Sequence, residues 1–410
     1  MSEQKIINDP VFGFINIPKG LLYDIVRHPL LQRLSRIRQV GISSVVYPGA
    51  QHTRFQHSLG AFHLMSEAIK QLRAKGNFIF DSEAEAVQAA ILMHDIGHGP
   101  FSHVLENTIV KEVSHEEISL MLMERINQEM NGQLGLAIQI FKDEYPKKFL
   151  HQLVSGQLDM DRLDYLRRDS FYTGVTEGNI GSARIIKMLN VKDDQLVVEA
   201  KGIYSIENFL TARRLMYWQV YLHKTSVAYE RMLIKTLLRA KELAEKGMEL
   251  FASPALKFFL YNHVDREEFY SNPECLDQFI RLDDNDIWTS LKVWCDHPDK
   301  VLSTLSCGMT DRHLFKVEIS NDPIPQERIE SLKASIAQEL GITPEEARYF
   351  VSVPRIEKNM YDPADDSIDI LYNDGTIKNI ADASDMLNIS LLSKKVQKYY
   401  ICYQRIAGKG

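Results

Sequence analysis

SEAEAVQAAILMHDIGHGPFSH, residues 82–103, decides the fold class. Up to Met93 its apolar residues recur three and four positions apart, the spacing of one helical face. Asp81-Ser82, with Glu85 three residues after Ser82, predicts the helix start. Gly97, Gly99 and Pro100 predict its end just past His94-Asp95. The stretch therefore reads as a helix that delivers an imidazole and a carboxylate to its own C-terminus. Four of the 13 histidines fall between His94 and His115. Imidazole with carboxylate suits a borderline first-row metal, and the lack of nearby cysteine argues against a closed structural zinc site. Neighbouring side chains inside a helix point about 100° apart, so a mid-helix His-Asp pair cannot easily share one ion. At a helix end, with glycines opening space, the two can converge.

A metal needs more than two ligands, and the flanking sequence supplies candidates. Upstream, GAQHTRFQHSLGAFH offers His52, His57 and His63; downstream, GQLDMDRLDYLRRDS offers Asp159, Asp161, Asp164 and Asp169. Asp161 and Asp164 are an i, i+3 pair on one helical face, and spacing leaves open which of them is the ligand.

Residues 1–20 read as a short extended segment interrupted by Gly13 and Pro18. From Leu21 to about Leu250 the helical period dominates, and IENFLTARRLMYWQVYLHKTSVAYERMLIKTLLRAKELAEKG reads as one long helical block crossing the core. After about residue 310 the short segments HLFKVEIS, RYFVSVPR, SIDILYN and KYYICYQR are β-rich, with one amphipathic helix, PQERIESLKASIAQELG, among them. The expected architecture is mainly α: a helical domain over 1–250, a helical connection over 251–310 and a small α+β region over 311–410. A net charge of −7 argues against a protein that coats nucleic acid. No apolar run is long enough to span a bilayer, and MSEQKIINDPVFG has no apolar signal core. Cys275, Cys295, Cys307 and Cys402 are dispersed without a CxxC pair and read as buried or incidental thiols, so a cytoplasmic location is expected. The nearest approach to a P-loop, GNIGSAR, lacks the lysine and reads as a turn.

RFQHSLG, HDIGHGPFSH and LDMDRLDYLRRD, in this order and spacing, resemble the HD-domain phosphohydrolases and, more narrowly, the deoxynucleoside triphosphate triphosphohydrolases. The resemblance runs from KIINDPVFG through HPLLQRLSRIRQVG and YPGAQHTRFQHSLG to ARRLMYWQVYLHK, roughly residues 5 to 230. It implies an HD-type helical core whose metal ligands are His57, His94, Asp95 and Asp161. The ion would be one divalent first-row metal (Fe, Mn, Ni, Co or Zn), with Mg accompanying the substrate. It also implies catalytic histidines at His98, His103 and His115, with Glu106 standing where the family usually has Asp. Either carboxylate can orient an imidazole.

A triphosphate carries about four negative charges, so its pocket needs several cations besides the metal. Arg54, Arg162, Arg213 and Lys224 are available. The resemblance assigns phosphate contacts to Arg54, Arg162 and Arg213, the second replacing a common Lys, which differs in geometry. It assigns the sugar to Tyr165, Asp169 and Tyr221, with Gln39 near the 3′-hydroxyl and Tyr221 crowding a ribose 2′-hydroxyl. In guanine-activated relatives an acidic residue and an Arg recognise the activator; here those positions hold Arg27 and Ser35, although Lys5, Asn8 and Gln32 match. Activation of that kind is therefore not expected. The leading reading is a deoxynucleoside triphosphate (dNTP) triphosphohydrolase working as a homodimer or homotetramer. Its rivals are an HD phosphohydrolase acting on a monophosphate or signalling nucleotide, and a non-catalytic nucleic-acid- or protein-binding module.

Overall fold

Asp9 folds the N-terminal segment onto itself. Its Oδ1 accepts the Val11 and Phe12 N–H groups, each at 2.9 Å, and Gly13 takes φ +80°. This short-range bonding turns the expected extended segment into an antiparallel hairpin of β1 (Gln4–Asp9) and β2 (Gly13–Pro18), in register Gln4↔Pro18 to Asp9↔Gly13. Ile15 and Ile17 point into the core, while Ile6 and Phe14 lie on the outer face. A computed structural model describes residues 4–101, 103–106, 108–110, 112–358, 367–385 and 396–405.

The central helix, Arg54–Ala74, begins with a capping box: Thr53 Oγ1 accepts the Gln56 N–H and Gln56 Oε1 accepts the Thr53 N–H. It buries Leu59, Phe62, Met65, Ile69 and Leu72, each such side chain contributing roughly 1.5–3 kcal/mol of hydrophobic stabilisation. Against it packs the helix Met160–Thr173, at a contact that only Gly60 permits. A Cβ there would sit 1.9 Å from Asp164 Oδ1 and 2.1 Å from Arg168 Nη2. The helix Asp81–Met93 ends with His94 as its C-cap. Its start differs from the expected one: Glu83, not Glu85, reaches back to accept a backbone N–H, that of Phe80 at 2.8 Å.

The long block after residue 205 is broken rather than continuous. A helix Ile203–Met216 passes through a π-helical turn, Tyr217–Tyr221, and a new helix, Lys224–Glu245, starts with His223 Nδ1 accepting the Thr225 N–H. Apolar periodicity runs through the break, so it is invisible in the pattern; the turn re-aims Tyr221 at Asp169. A hairpin, β3 (Leu189–Lys192) and β4 (Gln195–Glu199), also interrupts the helical body, where the helical period predicts no strand.

Short helices fill residues 254–310. Beyond them, β5 (Lys316–Ser320) and the helix Gln326–Leu340 follow the expected pattern. So do β6 (Val351–Ser352), β8 (Asp369–Leu371) and β10 (Val396–Tyr403), while β7 (Arg355–Lys358) and β9 (Ile377–Asn379) lie almost wholly outside the expected segments. These strands divide between two sheets. β10 is flanked by β5 on one side and pairs with β6 and β7 along the other, whereas β8 and β9 extend the β3–β4 hairpin, with β8 parallel to β4. The fold is mainly α with a smaller sheet-containing C-terminal region. No helix among the described residues is long and apolar enough to cross a membrane.

Candidate metal centre and active-site cavity

Two imidazoles from different helices face each other. His57 Nε2 lies 3.2 Å from His94 Nε2, and Asp161 Oδ1 lies 3.0 Å from the first and 3.5 Å from the second. Ligands about 2.1 Å from one ion and at right angles to each other would stand about 3.0 Å apart, so this spacing fits a single first-row cation. The tautomers fit as well. His94 Nδ1 is 2.7 Å from the Ile91 carbonyl oxygen and therefore carries a proton, which leaves Nε2 as the atom that would offer its lone pair to an ion. His57 Nδ1 is likewise taken, at 2.6 Å, by Asp164 Oδ2. The question that spacing left open thus has a geometric answer: Asp161 faces the two Nε2 atoms, and Asp164 stands behind His57.

Asp95 borders the cluster, with Oδ1 3.5 Å from His94 Nε2 and Oδ2 3.7 Å from His57 Nε2; Oδ2 also accepts Arg54 Nη1–H at 2.5 Å. Burial opposes charge throughout. Even so, hydrogen bonds from His57 and His94 hold Asp161 far below the usual carboxylate range. Burial would depress His57, but its bonds to Asp161 and Asp164 carry it up to about 10. A field this anionic favours a cation.

The support behind His57 continues outward. Arg168 donates from Nε and Nη2 to Asp164 at 2.9 and 3.0 Å, and from Nη1 to Asp9 Oδ2 at 2.7 Å. Asp164 and Arg168 are fully buried, so each charge depends on the other. The N-terminal hairpin is therefore tied to the metal cluster, a link for which Asp9 gave no sign in sequence. On the other side, Ser119 Oγ donates to the His94 carbonyl oxygen at 2.8 Å and accepts the Gly97 N–H at 2.9 Å. A Cβ on Gly97 would come within 2.2 Å of the His115 carbonyl oxygen, so this glycine is what lets the two helices close.

One cavity of about 660 Å³ opens beside the cluster, and Gln39, Arg54, Asp95, His98, His115, Asp161, Arg162, Tyr165, Asp169, Arg213 and Tyr221 all line it. His98 Nδ1 sits 3.2 Å from Asp95 Oδ1, and its ring packs on His115 with centroids 3.9 Å apart. Burial, with Arg54 adding to it, takes His98 down to about 3, so this imidazole is neutral. Arg162 is held by Asp159 and the Gly156 carbonyl oxygen. Arg213 Nη1 donates to Gln157 Oε1 at 2.8 Å, while its Nε is buried without a partner among the described residues. Tyr221 donates to Asp169 Oδ2 at 2.7 Å. Lys224 is exposed and does not line the cavity. His103 and Glu106 belong to the short helix His103–Glu106, but their side chains lie outside the described residues. Tyr217, Ser226 and Glu230 also line the cavity, and no motif in the sequence marks them.

Residues 54–166 match the HD domain model, and residues 180–253 match that of an HD-associated region. The uncharacterized protein YwfO of Bacillus subtilis is 30% identical over 99% of this chain and 93% of its own length. The chain belongs to the HD-domain phosphohydrolases. The crystal structure of a phosphohydrolase from Bacteroides thetaiotaomicron matches it with a TM-score of 0.96 at 83% identity, covering 98% of this chain and 100% of that one. The deoxynucleoside triphosphate triphosphohydrolase SAMHD1 of Homo sapiens is 28% identical over 82% of this chain and 59% of its own length. HD domains bind divalent metals, and His57, His94 and Asp161 form the group that could hold one here. In this phosphohydrolase the positions of the suggested activator site carry no carboxylate. Arg27 is exposed, 5.6 Å from the Tyr23 ring centroid, and Ser35 Oγ donates to the Gln32 carbonyl oxygen at 2.6 Å.

Proposed function

We propose that this phosphohydrolase cleaves deoxynucleoside triphosphates to deoxynucleoside and intact triphosphate. The observation that carries the reading is that carboxylates of the metal cluster, three arginines and a tyrosine–aspartate end share one cavity. Its volume of about 660 Å³ suits a nucleotide. His57, His94, Asp95 and Asp161 would hold one divalent first-row ion, which supplies Lewis acidity and charge neutralisation when bound. Arg54, Arg162 and Arg213 would take the phosphates. A monophosphate would leave much of that positive charge unmatched. Tyr165, Asp169, Tyr221 and Gln39 would take the sugar, with the Tyr221 ring closing the space of a 2′-hydroxyl.

The products require the bond between the α-phosphorus and O5′ to break, with water attacking phosphorus and O5′ leaving with a proton. Neutral His98 beside Asp95, His115 stacked on it, and His103 by position are the candidates for holding and moving those protons, with Glu106 orienting an imidazole. The cytoplasm is the fitting compartment for such a substrate, and self-association into dimers or tetramers is part of the reading; sedimentation of the purified protein tests the latter. Turnover of dGTP and dATP against dAMP tests the substrate class. Preference for the triphosphates, lost in Arg213→Met, supports the reading; equal or better turnover of dAMP overturns it.

A further inference from the structure

His52 has no part in the metal cluster, yet it is almost wholly buried at the sugar end of the cavity, 1% exposed. Its Nε2 lies 2.7 Å from Asp169 Oδ1, while Tyr221 occupies the other oxygen of the same carboxylate at 2.7 Å. An ionised carboxylate only accepts, so the proton of this bond sits on His52 Nε2. The ring is locked: it stacks on Tyr172 at 4.4 Å and 16°, and the Tyr172 hydroxyl accepts Gln56 Nε2–H at 3.2 Å. Nδ1 is buried without a partner among the described residues. The backbone of the same residue does a second job, because its carbonyl oxygen accepts the Gln39 N–H at 3.0 Å. The Gln39 side chain lines the cavity and its Oε1 is buried with no partner among the described residues.

We infer that His52 is a positioning residue: it holds Asp169 and Gln39, the groups read above as taking the sugar, in the orientation that receives a 3′-hydroxyl. The inference rests on the nucleotide reading above and adds a residue to it. A hydroxyl both donates and accepts, and a carboxylate opposite a carboxamide offers both complements. That arrangement holds only while Asp169 keeps its orientation. Tyr221 alone fixes one oxygen and leaves the carboxylate free to turn about that bond; the second bond, from His52, stops the rotation.

The test compares a 2′-deoxynucleoside triphosphate with its 2′,3′-dideoxy analogue on metal-loaded wild type, His52→Phe and His52→Gln, with metal content and melting temperature measured on each. His52→Phe keeps the stacked ring and removes the donor, while His52→Gln returns an amide N–H near the position of Nε2. The expected wild-type enzyme favours the deoxy substrate in kcat/KM by at least about 100-fold, since a site built to bond a hydroxyl rejects the analogue lacking it. His52→Phe should bring the deoxy value down by roughly 10- to 100-fold, leave the dideoxy value within about twofold, and keep its metal; His52→Gln should recover part of the loss. A fall of equal size for both substrates, or no fall for either, overturns the inference while leaving triphosphate hydrolysis standing. If His52→Phe fails to fold, an unchanged deoxy-to-dideoxy ratio in the Gln variant together with a wild-type ratio near one overturns it instead. Wild-type enzyme that turns over neither substrate removes the nucleotide reading and this inference with it.

Discussion

Replacing Asp164 with Asn should weaken the metal site without touching a residue that faces the ion. The carboxylate accepts from three donor atoms, His57 Nδ1 at 2.6 Å and Arg168 Nε and Nη2 at 2.9 and 3.0 Å. Asn keeps the volume but removes the charge and one acceptor oxygen, so it can serve His57 or Arg168 but not both, and Asp9, at 2.7 Å, becomes the remaining carboxylate partner of buried Arg168 among the described residues. Loss of such an outer partner lowers metal affinity by about 10- to 100-fold, or about 1.4–2.7 kcal/mol at 1.4 kcal/mol per decade. Breaking a buried pair also costs the fold about 3–5 kcal/mol, so the variant should melt well below wild type. Asp9→Asn, one link further from the ion, should show a smaller loss in the same direction. The assay is competition with a chelator of known affinity, with bound metal counted by mass spectrometry and folding followed by circular dichroism. As a control, Ile15→Ala damages the hairpin core without entering the chain of bonds. Affinity unchanged in folded Asp164→Asn, or lost equally in Ile15→Ala, would refute the reasoning.

His103→Ala should retain metal and substrate affinity and lose roughly 100- to 10,000-fold in rate, the span for a positioned proton-transfer group; a variant purified without metal would instead make His103 a ligand. Hydrolysis of dATP or dTTP should not require GTP or dGTP, because Arg27 and Ser35 offer no carboxylate to accept guanine's N1–H and amine protons. A steep GTP-dependent rise in both rate and molecular mass counts against that. Burial raises the Glu242 pKa, but bonds from Lys246 and Tyr349 outweigh it and bring it from 4.5 down to about 2. A depressed carboxyl stabilises the fold above its unfolded pKa, and the contribution disappears as pH falls from about 4.5 toward 2. Melting temperature should therefore drop less steeply over that window in Glu242→Gln than in wild type; parallel curves would exclude the linkage.

Much of the site was legible because HDIGHG combines a helix stop with metal-binding side chains, which ties local structure to chemistry in one short run. Asp161 and Asp164 could not be separated by spacing, since both lie on the same helical face. What separates them is that His57 has two nitrogens, one turned to each, and that depends on how two helices pack. The line from Asp9 to Arg168 spans 159 positions and is carried by a carboxylate that locally looks like a turn former. The parallel pairing of β4 with β8 is just as distant in sequence. The break at Tyr217–Tyr221 was hidden by unbroken apolar periodicity, and His52 by lying among histidines with a more obvious use.

Incubating metal-loaded enzyme with each dNTP in ¹⁸O-labelled water, and weighing the products, tests the central claim most directly. Deoxynucleoside and intact triphosphate should appear in equal amounts, with one labelled oxygen in the triphosphate and none in the nucleoside. Nucleoside monophosphate with pyrophosphate, or release of single phosphates, would contradict the account.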